Sequence, residues 1–415
     1  MKKLTPFLLI TFVFIMFSCT DNSVIVHEQN LTPELPNETF IYITDEVKDQ
    51  FMGTIIGRPN IDFTSSINVM DMSFLSSNAF NEPVTAIHPD QLTDEIATLG
   101  RVLFYDTKLS VNNSISCGTC HKQSLGFADD TPLTPGFKGE MTDRNTISIA
   151  NTMTQDGFFW NNNVAMLEDQ VLNPVQNHKE MGMEDLSLLP GKLYKADYYP
   201  GLFEKAFGSP QVTNEKISEA LTQFMISMVS SSSKFSQFAD QIQQGIPEHQ
   251  AGLSPLELAG FQVFNSEQMK CASCHKLPKL ATRSVIEDGS YESDFSNFVN
   301  ESLTAGPGSN IGLDSRNPDA GNGENGFKIP SLINVSVTAP YMHDGRFDSI
   351  EEVLDHYSKG IKDNPALDSR LRDASGQPMR MNMTEYEKQA LIAFLHTLTD
   401  EEYLAAERFS DPFER

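Results

Sequence analysis

Two short segments of the chain carry the same reactive side chains: two cysteines separated by two residues, with a histidine directly after the second. They are Cys117, Cys120 and His121 in the first segment, and Cys271, Cys274 and His275 in the second. This spacing is the attachment motif of c-type haem, because two thiols can bind the two vinyl groups of one porphyrin while the histidine lies under the ring and binds the iron. The sequence therefore predicts two covalently bound haems, with His121 and His275 as the proximal ligands.

A structural zinc site assembled from both cysteine pairs is the competing interpretation. Haem is favoured because a histidine follows each pair directly, because the chain begins with an export signal, and because a similar helix is predicted before each pair. The fifth cysteine, Cys19, belongs to the export signal, so no thiol is left over for a disulfide.

Residues 1–18 are typical of a bacterial lipoprotein signal peptide, with a basic start, an apolar run and a small residue before Cys19. The apolar run is too short for a comfortable membrane span. We therefore expect an exported, periplasmic protein that is attached to a membrane only through a lipid on Cys19. An uncleaved anchor or cleavage at another residue is the alternative, since Met16 and Phe17 are bulky for this position.

The formal net charge of −26 argues against nucleic acid as a partner, because nucleic acid requires a basic surface. It favours a partner with a basic face, since opposite charges speed the encounter of two proteins. Solubility alone explains the charge equally well.

The sixth coordination position of each iron separates an electron carrier from an enzyme, because a carrier fills it at every iron and a peroxidase leaves one open. No histidine follows His121 until His178, and Met141 lies in a polar loop. The first iron therefore lacks an obvious second ligand nearby in the sequence. Candidates for the second iron are Met342, His343, His356 and Tyr357.

The elements that must position these groups show an internal repeat. The segments LTDEIATLGRVLF and LSPLELAGFQVF each predict a helix that ends in G-x-x-x-F just before a cysteine pair. Ser254 with Glu257, and Thr384 with Glu387, predict capping boxes at two helix starts. The remaining periodicity is helical, so we expect a mostly α fold with two related domains, residues 86–245 and 246–415. Residues 19–85 are expected to form a tether and a flexible N-terminal extension.

The segment SIEEVLDHY predicts a further helix. Two candidate ligands of the second iron, His356 and Tyr357, are neighbours on it and are expected to point in different directions. Its apolar residues fall on one stripe that includes Leu354 and Tyr357, so Tyr357 is expected to face inward. His356 lies about 100° from that stripe, toward solvent. Ordinary burial of an aromatic ring explains Tyr357 as well.

Several long motifs together resemble the bacterial di-haem cytochrome c peroxidase family, and they occur in the family's order. They are LGRVLFYDTKLS, SCGTCH, GFAD, EDQVLNPVQNHKEMG, FKIPSLINVSVTAPYMHDGRF and EEVLDHYSKG, and the match covers about residues 86–400. The resemblance implies two cytochrome c-like helical domains with one haem in each. It also implies that the N-terminal haem is the peroxidatic one and that the C-terminal haem receives electrons.

The resemblance further implies roles for residues near the haems. Gln170, Pro174 and Glu180 match positions on the distal side of the peroxidatic haem. Glu180 is the expected acid–base group, because splitting the O–O bond requires a base that moves a proton between the peroxide oxygens. Without the family pattern, Glu180 would be interpreted as a solvated acidic residue in a loop. Trp160 matches a tryptophan that passes electrons between the haems, although a lone tryptophan is commonly core packing. Residues 161–163, all asparagine, replace the charged residues that commonly follow it.

A calcium ion between the domains is also implied by the resemblance. Asn145, Thr338 and Pro340 match its ligands, the last two through backbone carbonyls.

Two positions are similar to the branch of the family that contains MauG. Ordinary members carry a histidine ligand about sixteen residues after the first motif, and here that position is Phe137, which cannot bind iron. Ordinary members also place a methionine fourteen residues beyond the histidine of P-Y-x-H-D-G, where MauG has a tyrosine ligand, and counting from His343 reaches Tyr357. Tyr357 is therefore the expected sixth ligand of the second iron, with Met342 as the runner-up. His178 is the alternative ligand of the first iron.

Together these features predict a di-haem c-type peroxidase that reduces hydrogen peroxide. Its electrons would come from a small redox protein, such as a cytochrome c, through the C-terminal haem. The alternatives are a MauG-like di-haem oxidase that modifies a side chain of a partner protein, and a non-catalytic di-haem electron carrier with His178 on the first iron.

Overall fold

The computed structural model describes residues 85–87, 91–152, 155, 157–161, 163–275 and 326–413. The predicted signal peptide, Cys19 and nearly all of the expected N-terminal extension lie outside the described residues, so those expectations stay predictions. Among the helices within the described ranges, none combines the length and the apolar character that crossing a membrane requires.

Helices make up the regular structure of the described residues, which confirms the predicted mostly α fold. In chain order they are α1 (Asp94–Tyr105), α2 (Cys117–Cys120), α3 (Leu167–Gln170), α4 (Asn173–Gln176), α5 (Leu189–Tyr194), α6 (Tyr198–Phe207), α7 (Asn214–Ser227), α8 (Lys234–Gln243), α9 (Pro255–Phe264), α10 (Ile350–Asp355), α11 (Glu385–His396) and α12 (Glu401–Ala405). Short 3-10 turns span Thr107–Leu109, Gln123–Leu125, Leu186–Leu188, Glu248–Gln250, Cys271–Ser273, Val335–Val337, Ser369–Leu371 and Glu407–Phe409, and a π-helical turn spans His356–Gly360. In these ranges extended backbone pairs as isolated bridges, such as Lys122 with Ala128.

The repeat before the two cysteine pairs is a repeat of helix pairs, because α1 packs on α7 as α9 packs on α11. A Cβ atom at Gly100 would lie 1.9 Å from the carbonyl oxygen of Ala220, and one at Gly260 would lie 1.9 Å from that of Ala390. Glycine at these two positions therefore allows each pair of helices to approach to backbone contact. The cysteine pair that follows each glycine-containing helix is positioned by the same packing.

The predicted helix starts are confirmed where the structure describes them. Both capping boxes, Ser254 with Glu257 and Thr384 with Glu387, are present at the starts of α9 and α11. They satisfy backbone N–H groups that the first helical turn leaves without a partner.

The buried apolar side chains form two clusters. The first contains Phe104 of α1 and Phe224 of α7, and the second contains Phe261 of α9 and Phe394 of α11. Phe235, which precedes the domain boundary expected at residue 245, already belongs to the second cluster. The boundary itself stays a prediction.

The C-terminal segment packs on the first cluster, although it follows the second in sequence. Phe409 and Phe413 are buried among the side chains of the first cluster. The hydroxyl of Tyr105 donates a 2.6 Å hydrogen bond to the carbonyl of Phe409, and Nε of Arg101 donates one of 2.7 Å to the carbonyl of Ser410. The last residues of the chain thus hold the helix that precedes the first cysteine pair.

The expectation that His356 faces solvent is wrong. Its side chain is only 7% exposed and packs near the ring of Phe347, with 5.8 Å between ring centroids. The helical-stripe argument treats the helix in isolation, whereas the ring of Phe347, from the segment before the helix, packs near His356. In addition, α10 widens after Asp355 into the π-helical turn, which changes the direction of the side chains that follow.

Candidate active site

The first cysteine pair lies on the single turn α2, with His121 directly after it. Nδ1 of His121 is 2.8 Å from the carbonyl oxygen of Phe127, so this nitrogen carries the proton and Nε2 is left with its lone pair for a metal. Burial lowers the pKa of His121, and the bond to Phe127 opposes that shift only in part. The imidazole is therefore neutral and oriented, as an iron ligand must be.

The second cysteine pair repeats this arrangement. Its first three residues form the 3-10 turn Cys271–Ser273, and His275 is hydrogen-bonded to the backbone carbonyl of Pro330. Burial lowers the pKa of His275 to about 4, so this imidazole is also neutral at ordinary pH. Sequence reasoning missed Phe127 and Pro330, because both act through the peptide carbonyl, which any residue would supply.

A cavity beside the second motif tests whether these residues fit a haem. Most of its exposed wall is apolar. Cys271, Cys274 and His275 line it together with Tyr357 and Met342. An apolar cavity with two thiols and a neutral imidazole on its wall fits the chemistry of a covalently attached porphyrin. Burial raises the pKa of Cys271 to about 12, so without a haem this thiol stays protonated.

The zinc interpretation disagrees with the structure. Within the described ranges, no three side chains of His, Cys, Asp or Glu come together to hold a metal ion. A zinc site built from both cysteine pairs would bring four such side chains to one point.

The carboxyl group of Glu180 interacts electrostatically with the first cysteine pair. Its carboxyl is close enough to Cys117 and Cys120 to raise the pKa of both thiols, although burial is the larger cause. Burial raises the pKa of Glu180 itself to about 7, and the negative charge of Asp143 adds to this. A carboxyl with this pKa can both accept and release a proton at neutral pH, as general acid–base catalysis requires.

Two residues with predicted roles lie on the short helices before Glu180. The carbonyl of Pro174 accepts a 3.3 Å hydrogen bond from the N–H of Met181, so the structure brings Pro174 to the Glu180 segment. Gln170 ends α3, and its side-chain oxygen is buried and accepts no hydrogen bond from the described residues. An amide with an unused acceptor is suited to bind a protonated ligand.

Asn177 is a residue of this site that sequence reasoning missed. Its side-chain amide donates a 2.8 Å hydrogen bond to Oε1 of Glu180. The available signal was its position three residues before Glu180, in the same loop after a short helix.

Phe137 and His178 are the two residues that the sequence relates to the sixth position of the first iron, and the question of that ligand stays a prediction. The N–H of Phe137 donates a 2.9 Å hydrogen bond to the carbonyl of Glu180, and its ring packs against Gly182. Phe137 thus supports the Glu180 segment from the place where ordinary members have a ligand. The side chain of His178 is exposed.

Trp160 lines the cavity of the second motif, where its indole N–H donates a 2.8 Å hydrogen bond to the carbonyl of Asn145. Its ring lies edge-on to that of His343, with 6.5 Å between centroids. The three residues expected to bind calcium, Asn145, Thr338 and Pro340, also line this cavity. The structure therefore brings the tryptophan and the expected calcium ligands to the same cavity.

Tyr357 and Met342 both lie on the cavity wall, as do Cys271 and Cys274. Burial raises the pKa of the Tyr357 hydroxyl, and the two cysteines contribute to that shift, which places Tyr357 next to the second motif. His343 lines the cavity too, but its ring stacks on Phe327 with 3.8 Å between centroids. The choice between Tyr357 and Met342 as the sixth ligand stays a prediction.

Known proteins resemble this chain over most of its length. A family model for the di-haem cytochrome c peroxidase matches residues 94–244. The methylamine utilization protein MauG of Methylorubrum extorquens is 30% identical over 342 residues, which are 81% of this chain and 88% of that protein. The cytochrome c551 peroxidase of Nitrosomonas europaea is 26% identical over 336 residues, 79% of this chain and 86% of that one. A crystal structure of a MauG-like protein associated with microbial copper homeostasis is 30% identical, with a TM-score of 0.63 over 80% of this chain and 97% of the other.

Proposed function

Since the chain belongs to the di-haem cytochrome c peroxidase family, we propose that it reduces hydrogen peroxide at the haem of its first motif. Membership makes it a peroxidase-like oxidoreductase with two c-type haems. Cys117, Cys120 and His121 hold the first haem in this proposal. A small redox protein, such as a cytochrome c, supplies electrons through the second haem, which is held by the second cysteine pair and His275.

Glu180 is the observation that carries the proposal. Its charge acts on both thiols of the first motif, and its pKa of about 7 suits proton transfer at neutral pH. Glu180 takes a proton from one peroxide oxygen and returns it to the other, which then leaves as water. Gln170 and Pro174 complete the distal side. When bound, the two haems would supply the two electrons that cleavage of the O–O bond requires, and the redox partner would replace them.

Trp160 is the proposed route for electrons between the two haems. Its support is its place on the wall of the cavity beside the second motif and its fixed indole, which is held by the carbonyl of Asn145. The N–H of Asn145 also donates a 2.8 Å hydrogen bond to the carbonyl of His343. A calcium ion bound by Asn145, Thr338 and Pro340 would stiffen the same wall.

The test is peroxide-dependent oxidation of a reduced c-type cytochrome by the holoenzyme, with Glu180→Gln as the variant. We expect the variant to be slower by about 10²–10⁴-fold, the usual contribution of acid–base catalysis. Glu184→Gln is the matched control, because Glu184 is exposed and only four residues away. A first haem that stays six-coordinate and does not react with peroxide would refute the proposal.

A second candidate function is that of a MauG-like di-haem oxidase, which would oxidise a side chain on a partner protein. It is supported by Tyr357 on the wall of the cavity beside the second motif. It is also supported by Phe137, which stands where ordinary members of the family have a histidine ligand. The deciding experiment compares EPR and optical spectra of the ferric wild type and Tyr357→Met, before and after peroxide. A peroxide-induced signal from the second haem that is lost in Tyr357→Met would favour this candidate. Turnover with reduced cytochrome c far faster than with any co-expressed partner would count against it.

The electron-carrier alternative requires His178 to bind the first iron. Its exposed side chain gives that alternative no support. A high-spin ferric spectrum of the first haem would exclude it.

Export and lipidation also belong to the proposal. The motif at Cys19 supports a periplasmic enzyme anchored through a lipid. Mass spectrometry of the mature protein would show the lipid on Cys19, and Cys19→Ala would release the protein from the membrane fraction.

A further inference from the structure

Asn177 is anchored by its backbone at the end of α4. Its N–H donates a 3.0 Å hydrogen bond to the carbonyl of Asn173, and its own carbonyl accepts one of 2.8 Å from the N–H of Gly182. These two bonds close the chain into a tight loop that contains Glu180. The Cα positions of Asn177 and Glu180 are therefore fixed relative to each other.

The orientation of the Asn177 side chain follows from its two partners. Its oxygen Oδ1 accepts a 2.9 Å hydrogen bond from the N–H of Lys179, and only the oxygen of an amide can accept. Its nitrogen Nδ2 must then face Oε1 of Glu180, 2.8 Å away. Asn177 is thus an obligatory donor to this carboxyl group, and the backbone decides which way its amide points.

The opposite side of the loop is supported by the segment around Phe137. The N–H of Phe137 donates to the carbonyl of Glu180, as described above. A Cβ atom at Gly136 would lie 1.7 Å from the carbonyl oxygen of Lys179, so the two segments touch through their backbones. The segment around Phe137 therefore holds the backbone of the Glu180 loop, and Asn177 holds the carboxyl group of Glu180.

We propose that Asn177 is a positioning residue for the peroxide reaction, which holds Oε1 of Glu180 and leaves Oε2 to carry the proton. This inference rests on the proposed role of Glu180. A donor to Oε1 keeps the carboxyl group in one rotamer and favours its charged form, so that a base is ready when peroxide arrives. Asp143, which is paired with Lys179 at 2.6 Å, acts on Glu180 as well, because its negative charge raises the pKa of that carboxyl group.

The experiment uses the holoenzyme with Asn177→Ala, Asn177→Asp and the control Asn173→Ala. Asn173 begins α4, the short helix that Asn177 follows; it is exposed, and its side-chain amide donates a hydrogen bond to a backbone carbonyl. Two quantities are measured against pH: kcat for peroxide, and the infrared carboxyl band of the resting ferric protein. Both Asn177 variants are expected to move the two midpoints upward together by about one pH unit, which lowers kcat about tenfold on the acidic side. KM for the electron donor and the control are expected to stay at wild-type values.

Asn177→Asp keeps the size of the side chain and the acceptor for Lys179, so it covers the case in which Asn177→Ala does not fold. Unchanged midpoints in a folded Asn177→Asp would overturn the inference. A purely structural role would lower the melting temperature without moving the carboxyl band, and that result would overturn it too. Full activity of Glu180→Gln would instead refute the proposed function, so the two failures are distinguishable.

Discussion

One ring nitrogen of each motif histidine bonds to a peptide carbonyl, that of Phe127 for His121 and that of Pro330 for His275. A carbonyl fixes the tautomer and the ring orientation, but unlike a carboxylate it does not draw the proton away. Both imidazoles therefore remain neutral, with the other ring nitrogen suited to bind a metal. The two sites differ in the ionisable group that interacts with each cysteine pair, which is Glu180 at the first and Tyr357 at the second.

Glu180 gives the reaction a definite pH dependence. Burial raises its pKa to about 7, so the carboxylate that accepts the peroxide proton forms as the pH rises through that value. We expect kcat/KM for peroxide to increase about tenfold from one pH unit below this midpoint to one unit above it, and then to level off. Stopped-flow mixing with peroxide between pH 5.5 and 8.5 measures this.

The control for this profile is Glu180→Gln, which should be slow and nearly independent of pH over the same range. A wild-type rate that falls as the pH rises through 7 would contradict the assignment of Glu180 as the base. It would require a group that is active only when protonated.

At the scale of elements, each haem site follows the same construction. A glycine-containing helix lies against a partner helix, Gly100 of α1 on α7 and Gly260 of α9 on α11, and the cysteine pair follows. The partner helices share the pattern A-L-x-x-F, at residues 220–224 and 390–394. The alanine carbonyl lies against the glycine, and the Cβ atom of the phenylalanine lies beside it.

Gly100→Ala and Gly260→Ala are each expected to destabilise the protein. The new Cβ atom would lie 1.9 Å from a carbonyl oxygen of the partner helix, so the helices must move apart. Overpacking of this kind costs about 1–3 kcal/mol, which urea unfolding of the holoenzyme can measure. Gly201→Ala is the matched control, because Gly201 lies within α6 with nothing within 4 Å of a Cβ atom there. It should stabilise by about 0.5–1 kcal/mol. Equal effects at the three glycines would contradict the packing argument.

Local patterns in the sequence were enough to predict the helices before each cysteine pair and both capping boxes, because caps and periodicity depend on residues close in the chain. His356 was placed wrongly because its burial depends on Phe347, which covers the helix from outside. Asn177 was missed because a single asparagine in a loop has no distinctive pattern. The cavity that holds Tyr357 could be expected from the family resemblance, but not from the spacing of residues alone.

At the scale of the whole molecule, the first core depends on the last residues of the chain. Phe409 is 1% exposed, and its ring lies within 6.5 Å of those of Phe127, Phe224 and Tyr403 between centroids. Phe127 also supplies the carbonyl that holds His121. The C-terminal segment therefore stabilises the side of the first haem site on which that histidine lies.

Phe409→Ala should accordingly destabilise the first core more than the second. Removing a fully buried phenylalanine costs about 3–5 kcal/mol. Hydrogen exchange of the holoenzyme would show faster exchange in α1 and α7, while α9 and α11 keep their protection. Phe261→Ala, in the second core, is the reciprocal variant. Equal loss of protection in all four helices after either substitution would show that the two cores unfold as one unit.

The net charge of −26 should govern the rate at which the protein associates with its proposed electron donor. A strongly acidic protein attracts a donor with a basic face over distances that salt shortens, since the Debye length falls from about 30 Å at 0.01 M to about 10 Å at 0.1 M. We expect the second-order rate constant with a basic c-type cytochrome to fall at least tenfold over this range of salt. An acidic cytochrome of similar potential should be slow at low salt and become faster as salt is added. The comparison also separates the two explanations of the charge: if it serves only solubility, both donors should respond to salt equally weakly.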